Sequence, residues 1–307
     1  MPRPVRLFAR LLAGLLAGLL AACAAPAAPG QCGLTLASRL ALQPRGGLPM
    51  LSVGINGHTA RMVLDTGAAG MVLNQEAVIR LGLRSDPRAV IGISGVGGES
   101  HQFAAIVTGL RLGGLALPDQ RAAVLSAGLK PLDGERPDGL LGMDVLRRFD
   151  LDLDLPHSQL TLYRGRPCPD QPLPMPGPAT VVEAAITNQG HLVMRAAVDQ
   201  RPVLALLDTG ARATVLSARA AGVPAGVLAA DPPATLVGVG PAPVIARRHR
   251  FASATIGGET FADPVLIVLN DTPPDHDLIV GMDYLHARRL WISPAAGRIY
   301  VQRPPPH

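Results

Sequence analysis

The chain has 307 residues, which is enough for two domains with an apolar core each, and a formal net charge of +5 at pH 7. Three arginines lie within the first ten residues, and the single later basic run, at 247–250, is interpreted as a solvated strand or turn, so the charge pattern excludes the usual electrostatic footprint of a nucleic-acid-binding protein. With 34 glycines, 30 prolines and only 3% aromatic residues, the composition favours many short strands joined by tight turns, and we expect an all-β fold.

The N-terminal residues 1–22 have the pattern of a signal peptide, with a basic start followed by an uncharged Leu/Ala/Gly stretch. The stretch ends in Leu-Ala-Ala-Cys, which resembles the processing box of bacterial lipoproteins and implies lipidation of Cys23. We therefore expect residues 23–46 to form a lipidated tether. Ala24 resembles the sorting signal for the outer membrane of a Gram-negative cell, which predicts a periplasmic protein that contacts the membrane through its lipid anchor. An uncleaved membrane anchor is the alternative interpretation.

A first lobe is expected at residues 47–163. It opens with two apolar segments, 51–55 and 58–64, that flank Asn56-Gly57, and this combination is a strong signal for a β-hairpin. The second segment runs directly into Asp65-Thr66-Gly67-Ala68. One Asp-Thr-Gly triplet arises by chance in roughly one chain of this length in twenty, so a single copy carries little weight.

Two further patterns follow in the first lobe. Gly95-Val96-Gly97 is typical of a hairpin tip, and the apolar-apolar-Gly-Met-Asp sequence that ends at Asp144 precedes a short helical stretch. Asp144 and its later counterpart Asp283 are interpreted as helix caps, because Asp is a preferred residue at the start of a helix.

Residues 164–178 are predicted to be an extended, stiff linker, because six of these fifteen residues are prolines. If Cys23 is lipidated, Cys32 and Cys168 are the two remaining cysteines of an exported protein. An even number of remaining cysteines in an exported protein favours a disulfide, which would join the start of the first lobe to the linker. Two free thiols are the alternative.

A second lobe, at residues 179–303, repeats the first. Two apolar strand patterns, 192–198 and 201–207, run into Asp208-Thr209-Gly210-Ala211, 143 residues after the first copy, and Gly238-Val239-Gly240 repeats the glycine-rich tip at the same spacing. Matching spacing over several motifs indicates duplication. The chain is therefore interpreted as two copies of one lobe, related by an internal pseudo-two-fold axis.

The repeated order of Asp-Thr-Gly-Ala, glycine-rich hairpin and apolar-apolar-Gly before a short helix resembles the retropepsin-like aspartic protease family over roughly residues 47–301, and in particular its single-chain, two-lobe bacterial periplasmic members. The resemblance implies two closed β-barrel lobes with short helices and an active site between them. Each lobe would contribute one catalytic aspartate, Asp65 and Asp208. The other implied site residues are the active-site loop residues Thr66, Gly67, Ala68, Thr209, Gly210 and Ala211, whose threonines would join the loops, and the substrate-covering flap residues Gly95, Val96, Gly97, Gly238, Val239 and Gly240.

Two adjacent carboxyl groups can catalyse hydrolysis of a peptide bond by water without a metal or cofactor. In this class of enzyme they share one proton, because two charges about 3 Å apart repel by roughly 5 kcal/mol at an effective dielectric near 20. Pepsin-like enzymes usually carry Ser or Thr where this chain has Ala68 and Ala211. Losing that hydroxyl donor raises the pKa of the pair, so we expect activity at mildly acidic to near-neutral pH. The histidines are scattered and no metal-binding motif occurs, so no metal site is expected.

These patterns predict an aspartic endopeptidase that acts on extended peptide or protein substrates, in periplasmic or membrane-protein segments, without a nucleic-acid partner. We expect a monomer, and an exchange of lobes between two molecules is the alternative. A catalytically inactive lipoprotein that binds peptides or assists assembly through the groove between the lobes is the alternative function.

Overall fold

The computed structural model describes residues 32–168, 171–236, 238, 244–270 and 275–303. The predicted signal peptide, the lipidation residue Cys23, and Val239 and Gly240 of the second predicted flap lie outside the described residues. Within the described part of the chain, no helix is long and apolar enough to cross a membrane.

The described part of the first half of the chain, from residue 32, contains thirteen strands and two short helices. The strands are β1 (Gly33–Ala41), β2 (Gln43–Arg45), β3 (Leu48–Ile55), β4 (His58–Leu64), β5 (Val72–Asn74), β6 (Arg84–Gly95), β7 (Gly98–Val107), β8 (Arg111–Leu112), β9 (Leu115–Ala116), β10 (Gln120–Leu125), β11 (Gly139–Leu141), β12 (Asp150–Asp154) and β13 (Gln159–Arg166). The helices are α1 (Gln75–Arg80) and α2 (Met143–Leu146).

The second half adds twelve described strands and three short helices. The strands are β14 (Thr180–Ile186), β15 (Leu192–Val198), β16 (Arg201–Leu207), β17 (Val215–Ser217), β18 (Pro233–Leu236), β19 (Val244–Arg250), β20 (Ser253–Ile256), β21 (Glu259–Ala262), β22 (Val265–Leu269), β23 (Leu278–Val280), β24 (Arg289–Ser293) and β25 (Arg298–Gln302). The helices are α3 (Ala218–Ala221), α4 (Ala225–Ala230) and α5 (Met282–Leu285).

Both halves contain the same arrangement of strands, so the predicted all-β architecture with two homologous lobes and short helices is confirmed. In the first lobe, β11 pairs parallel with β4 and antiparallel with β5, and β5 pairs parallel with β10. In the second lobe, β23, β16, β17 and β22 repeat these three pairings in the same senses. The central strands β11 and β23 therefore lie beside the ends of β4 and β16, the two strands that lead into the Asp-Thr-Gly loops.

The predicted hairpins before the two loops form as the sequence indicates. Asn56 and Gly57 both have positive φ angles, 48° and 79°, which is the backbone of a tight two-residue turn. Asp199 and Gln200 occupy the equivalent turn with φ angles of 47° and 64°. The second strand of each hairpin, β4 or β16, begins with mostly exposed residues and is fully buried in its last three residues, next to the Asp-Thr-Gly loop.

A sheet formed by both halves of the chain joins the lobes. Its strands follow the order β1-β13-β12-β24-β25-β14, and the contact between the halves is the antiparallel pair β12 and β24. Buried polar contacts reinforce this pair: the Trp291 indole donates to Asp150 at 2.9 Å, and Arg289 binds Asp152 with two hydrogen bonds of 2.8 and 2.7 Å. The lobes are thus held by backbone pairing as well as by side chains.

The expected tether needs correction in its C-terminal part. Residues 33–41 form β1, which pairs with β13 along its whole length, and residues 43–45 form β2. The sequence interpretation missed these strands because most of their side chains are exposed, so the apolar alternation of a core strand is weak.

The segment 164–178 also differs from a free linker. β13 continues to Arg166, and Met175 is buried in a small apolar cluster with Tyr163 and Trp291. The structure joins Cys32 to Cys168 in a disulfide, with Cα atoms 4.8 Å apart, so this segment is tied to the start of β1.

Candidate active site

Asp65 and Asp208 occupy equivalent positions directly after β4 and β16. The backbone N–H of Asp65 donates to the carbonyl of Leu141 at 3.1 Å, and that of Asp208 donates to the carbonyl of Val280 at 3.1 Å. Both acceptors end the central parallel strands, β11 and β23. The core of each lobe therefore carries one carboxyl group to the contact between the lobes.

Thr66 and Thr209 join the two loops through reciprocal hydrogen bonds. The Thr66 hydroxyl donates to the Leu207 carbonyl at 2.7 Å, and the Thr209 hydroxyl donates to the Leu64 carbonyl at 2.6 Å. Each hydroxyl also accepts the backbone N–H of the other threonine, at 3.0 and 3.1 Å. Both side chains are fully buried. Four hydrogen bonds thus set the position of one aspartate relative to the other.

Gly67 and Gly210 let each loop approach the carboxyl group of the opposite lobe. A Cβ atom on Gly67 would overlap the Asp208 carboxyl group, and one on Gly210 would overlap that of Asp65. Only glycine allows so close an approach of backbone to side chain. The two aspartates are therefore brought together across the contact between the lobes, as the repeated motif predicts.

Backbone donors hold the inner oxygen of each carboxyl group. Asp65 Oδ1 accepts the N–H groups of Gly67 and Ala68 at 3.0 and 2.8 Å, and Asp208 Oδ1 accepts those of Gly210 and Ala211 at 2.8 and 3.0 Å. Ala68 and Ala211 thus contribute through their backbones, and their side chains offer no hydroxyl group.

Burial dominates the electrostatics of the pair. Burial raises the pKa of Asp65, and it raises the pKa of Asp208 well above its ordinary value, with the charge of Asp65 as the second cause. The backbone hydrogen bonds act in the opposite direction on both groups. Two such close carboxyl groups titrate as one coupled pair, so the raised pKa belongs to the pair and not to either residue alone.

The predicted first flap is the hairpin formed by β6 and β7, with Gly95 and Gly98 paired next to its tip. Val96 at the tip packs against an apolar cluster of the second lobe that includes Leu206 and Ile267. Gly238 of the second predicted tip lies against the Val96 carbonyl, where a Cβ atom would overlap it. The first hairpin therefore crosses from its own lobe to the other.

Comparison with known proteins agrees with this geometry. A family model described as aspartyl protease matches residues 51–145 and 194–284, one match in each lobe. The chain belongs to the aspartyl protease family. UBA domain-containing protein Mud1 from Schizosaccharomyces pombe is 29% identical to it over 115 residues, which are 37% of this chain and 32% of that protein. The chain thus matches about a third of that relative's length.

Asp144 and Asp283, which were expected to cap two helices, lie inside those helices. The helix caps are Gly142 and Gly281, so Asp144 and Asp283 lie two residues inside their helices. Asp283 accepts the backbone N–H and the hydroxyl of Thr214 at 2.8 and 2.6 Å. The predicted capping position was wrong, but the Oδ1 atoms of Asp144 and Asp283 each accept the N–H of the next residue in the first turn of their helix at 2.9 Å.

The structure also assembles a cluster that the sequence analysis missed, formed by His191, Asp275 and His276 and called here the His–Asp–His cluster. Asp275 accepts three hydrogen bonds: from the Thr187 hydroxyl at 3.1 Å, with His191 Nδ1 at 2.6 Å, and with His276 Nδ1 at 2.9 Å. His191 lies 84 residues from Asp275 along the chain, so no local motif could have indicated the contact.

The ligand atoms of this cluster lie within 4.8 Å of one another, and two imidazoles with a carboxylate are a donor set that a transition metal can use. The carboxylate is already surrounded by hydrogen-bond donors, however, and the two Nδ1 atoms both face it. We therefore interpret the cluster as a hydrogen-bonded network. Burial, followed by the neighbouring Asp275 charge acting in the opposite direction, leaves the pKa of His276 lowered.

Proposed function

We propose that this aspartyl protease is a lipid-anchored endopeptidase that hydrolyses extended segments of periplasmic or membrane proteins. The observation that carries the proposed activity is the pair of carboxyl groups of Asp65, which is buried, and Asp208, which is half-buried, each close to the opposite loop at Gly210 and Gly67. The lipoprotein-like sequence around Cys23 supports the location.

The proposed reaction uses the single proton that the pair shares. The ionised carboxylate accepts a proton from water as the water oxygen bonds to the peptide carbonyl carbon, and the protonated carboxyl group donates its proton to the carbonyl oxygen. The resulting tetrahedral diol then collapses: the carboxyl group that took the proton from water gives it to the nitrogen as the C–N bond breaks, and the other carboxylate takes a proton from a diol hydroxyl, which restores the shared proton. Because the threonine hydrogen bonds fix the relative position of the two carboxyl groups before substrate binds, the loops need little reorganisation during the reaction.

The substrate is proposed to lie between the lobes in an extended conformation. The β6–β7 hairpin reaches from the first lobe to the second and would cover a bound peptide, which excludes water from the reacting bond. A single chain provides both loops and all four threonine hydrogen bonds, which supports a monomer as the active form.

The test is cleavage of a mixed peptide library by the full-length protein, purified in mild detergent, between about pH 4 and 7. Asp65→Asn and Asp208→Asn should each reduce kcat/KM by more than about a thousandfold, because either change removes the shared proton or its acceptor. Asp119→Asn is the matched control, since Asp119 is exposed and its carboxyl group accepts the N–H of Gly109 at 3.4 Å, outside the two Asp-Thr-Gly loops.

Cleavage that survives either dyad substitution would contradict the proposed mechanism. Peptide binding without cleavage at any pH would instead support the inactive binding protein. The molecular mass of the active species in solution separates a monomer from a lobe-exchanged dimer.

The anchor has its own test. Cys23→Ser should release the protein from the membrane fraction and abolish incorporation of labelled palmitate, while peptidase activity of the purified protein is retained. Unchanged membrane association without label would support the uncleaved anchor.

A further inference from the structure

The sheet that joins the lobes carries an open cleft on the face opposite the main core. One face of this sheet packs into the core, for example through Leu153 and Ile292, whereas Tyr163 and Trp291 lie on the other face. On that other face a cleft of about 410 Å³, called here the β1 cleft, opens between β1, β13 and the proline-rich segment 171–174. The cleft has the size of a small-ligand site, and neither the Asp-Thr-Gly loops nor the β6–β7 hairpin lines it.

A bulge in β1 brings an arginine to the face that lines this cleft. Leu36 pairs with Tyr163, and Ser38 pairs with the preceding residue of β13. Ala37 is therefore an extra residue in the ladder. The extra residue changes the alternation of faces, so Arg39 lies on the same face as Leu36, and both side chains line the β1 cleft.

The lining of the β1 cleft is apolar with one charged side chain. Three leucines and three prolines form most of the wall, and among the described residues no carboxylate lines it. Leu36 is 49% exposed there, and Arg39 is exposed and belongs to no ion pair among the described residues. Leucines favour contact with an apolar chain, and a guanidinium binds phosphate oxygens through two parallel hydrogen bonds. The cleft therefore suits a molecule with an apolar chain and a phosphate group.

The disulfide ties the start of the folded part of the chain to this cleft. Cys168 lines the β1 cleft and is bonded to Cys32. Cys32 comes nine positions after Cys23, and even a fully extended segment of that length spans only about 30 Å. The proposed lipid at Cys23 would therefore keep the cleft close to the membrane surface.

The surroundings of the cleft are basic. Arg164 and Arg166 are exposed in the part of β13 that pairs with the first residues of β1. Like Arg39, they belong to no ion pair among the described residues. Basic side chains near a membrane surface are attracted to anionic lipid headgroups. The acidic residues on this face of the sheet are bound by residues of β24 and leave that positive charge in place: Asp150, Asp152 and Asp154.

We propose that the β1 cleft binds an anionic phospholipid of the membrane, with an acyl chain against Leu36 and Leu173 and the headgroup phosphate on Arg39. The inference rests on the proposed lipid anchor for its location and is independent of the proposed peptidase activity. A bound phospholipid would set how the anchored protein lies on the bilayer, with the joining sheet toward the lipid. A single acyl chain gives only weak, reversible membrane binding, so Cys23→Ser protein is still expected to leave the membrane fraction.

The first test uses Trp291, the only tryptophan in the chain, whose ring lies 4.9 Å from that of the cleft residue Tyr163. The full-length protein is reconstituted in vesicles of phosphatidylethanolamine and phosphatidylglycerol, with brominated acyl chains on the phosphatidylglycerol. Bromine quenches tryptophan at short range, so Trp291 emission should fall relative to unbrominated vesicles. Unchanged emission would overturn the proposal, and it is also the result expected if the protein's own acyl chains fill the cleft.

The second test measures affinity without relying on the anchor. The full-length protein in mild-detergent micelles is titrated with brominated phosphatidylglycerol, and Trp291 quenching reports binding. Leu36→Asn and Arg39→Gln should each raise the half-saturating lipid concentration roughly tenfold, because one loses apolar contact and the other a charged hydrogen bond. Equal affinity for brominated phosphatidylcholine would overturn the proposed preference for an anionic headgroup.

Two variants in the second lobe are the matched controls. Val227→Asn removes an apolar side chain that is 49% exposed, as Leu36 is, and Arg195→Gln removes an exposed arginine on β15. Both should titrate like wild type. Wild-type affinity in Leu36→Asn and Arg39→Gln, or equal losses in the controls, would overturn the proposal. Neither test measures turnover, so failure here is distinguishable from failure of the peptidase proposal.

Discussion

At the residue scale, the candidate site depends on small side chains as much as on the acidic ones. Gly67 and Gly210 each face the carboxyl group of the opposite lobe, and no side chain fits between them. In the proposed reaction the aspartates supply the chemistry, while the glycines allow the close approach at which two carboxyl groups share a proton.

Gly67→Ala should therefore disable the dyad without removing a catalytic group. The added methyl group must push the loop away from Asp208, and we expect a loss of kcat/KM of roughly a hundredfold and a loss of about 1–3 kcal/mol in the free energy of unfolding. Kinetics and urea unfolding measure both quantities.

Gly226→Ala is the control for this change. Gly226 lies exposed at the start of α4 with open space around its Cα, so alanine there should leave activity unchanged and stabilise slightly. Wild-type activity in Gly67→Ala would show that the loops are not in the close contact described above.

At the element scale, the β6–β7 hairpin connects the two lobes across the site. Its strands are mostly exposed or half-buried, in contrast to the fully buried strands beside the aspartates. At its base β7 pairs with β10, and at its tip Val96 packs against the second lobe. Because the strands between these two points are largely exposed, the tip can open at low cost in free energy, which suits a cover for substrate.

Val96→Ser should weaken this docking. We expect kcat/KM to fall roughly tenfold, because the hairpin no longer stays closed over the peptide, while the free energy of unfolding changes by less than about 1 kcal/mol. Steady-state kinetics and thermal unfolding provide the measurements.

The matched control is Val90→Ser in the same hairpin. Val90 is 56% exposed and pairs with Phe103 away from the tip. The activity of the Val90→Ser variant should therefore match that of wild type. Equal effects of the two substitutions would argue against a specific role for the tip.

At the scale of the whole molecule, the site exists only where two copies of one lobe meet. The β12–β24 pairing and the threonine hydrogen bonds hold that contact. Burial at this contact raises the pKa values of Asp65 and Asp208 and so disfavours their ionised forms. The arrangement needed for the proposed catalysis is therefore expected to reduce stability at neutral pH.

This cost predicts a pH-dependent effect of Asp208→Asn. Because the pKa of Asp208 is raised in the folded protein, chiefly by burial, the folded state binds more protons than the unfolded state, and the stability contributed by protonation is lost as pH rises. Asparagine keeps the oxygen that accepts from Gly210 and Ala211 but cannot ionise. The variant should therefore exceed wild type in free energy of unfolding by more than about 1 kcal/mol at pH 7.

The difference should shrink as pH falls toward the ordinary pKa of an aspartate, where wild type is protonated as well. Denaturant unfolding at several pH values measures it. A difference that grows on acidification would contradict a raised pKa, and Asp119→Asn should show little difference at any pH.

Much of this fold and site could be predicted from the sequence because the signals are local and occur twice. Asn56-Gly57 requires a particular turn, the apolar runs before Asp65 and Asp208 require burial, and the second copy turned a weak tripeptide into a strong pattern. The exposed strand β1 and the binding of Thr214 by Asp283 were missed, since one has little apolar alternation and the other joins residues 69 positions apart.

The sequence by itself determined that the protein consists of two aspartyl protease lobes, because hairpin turns, buried strands and repeat spacing are properties of short segments. Only the tertiary structure decided what surrounds the dyad: the reciprocal contacts of Gly67 and Gly210, the docking of Val96 on the other lobe, and the His–Asp–His cluster on one side. All of these depend on which distant segments pack together. Packing between the lobes sets the first two, and packing within the second lobe sets the cluster, so the local sequence around each residue does not reveal them.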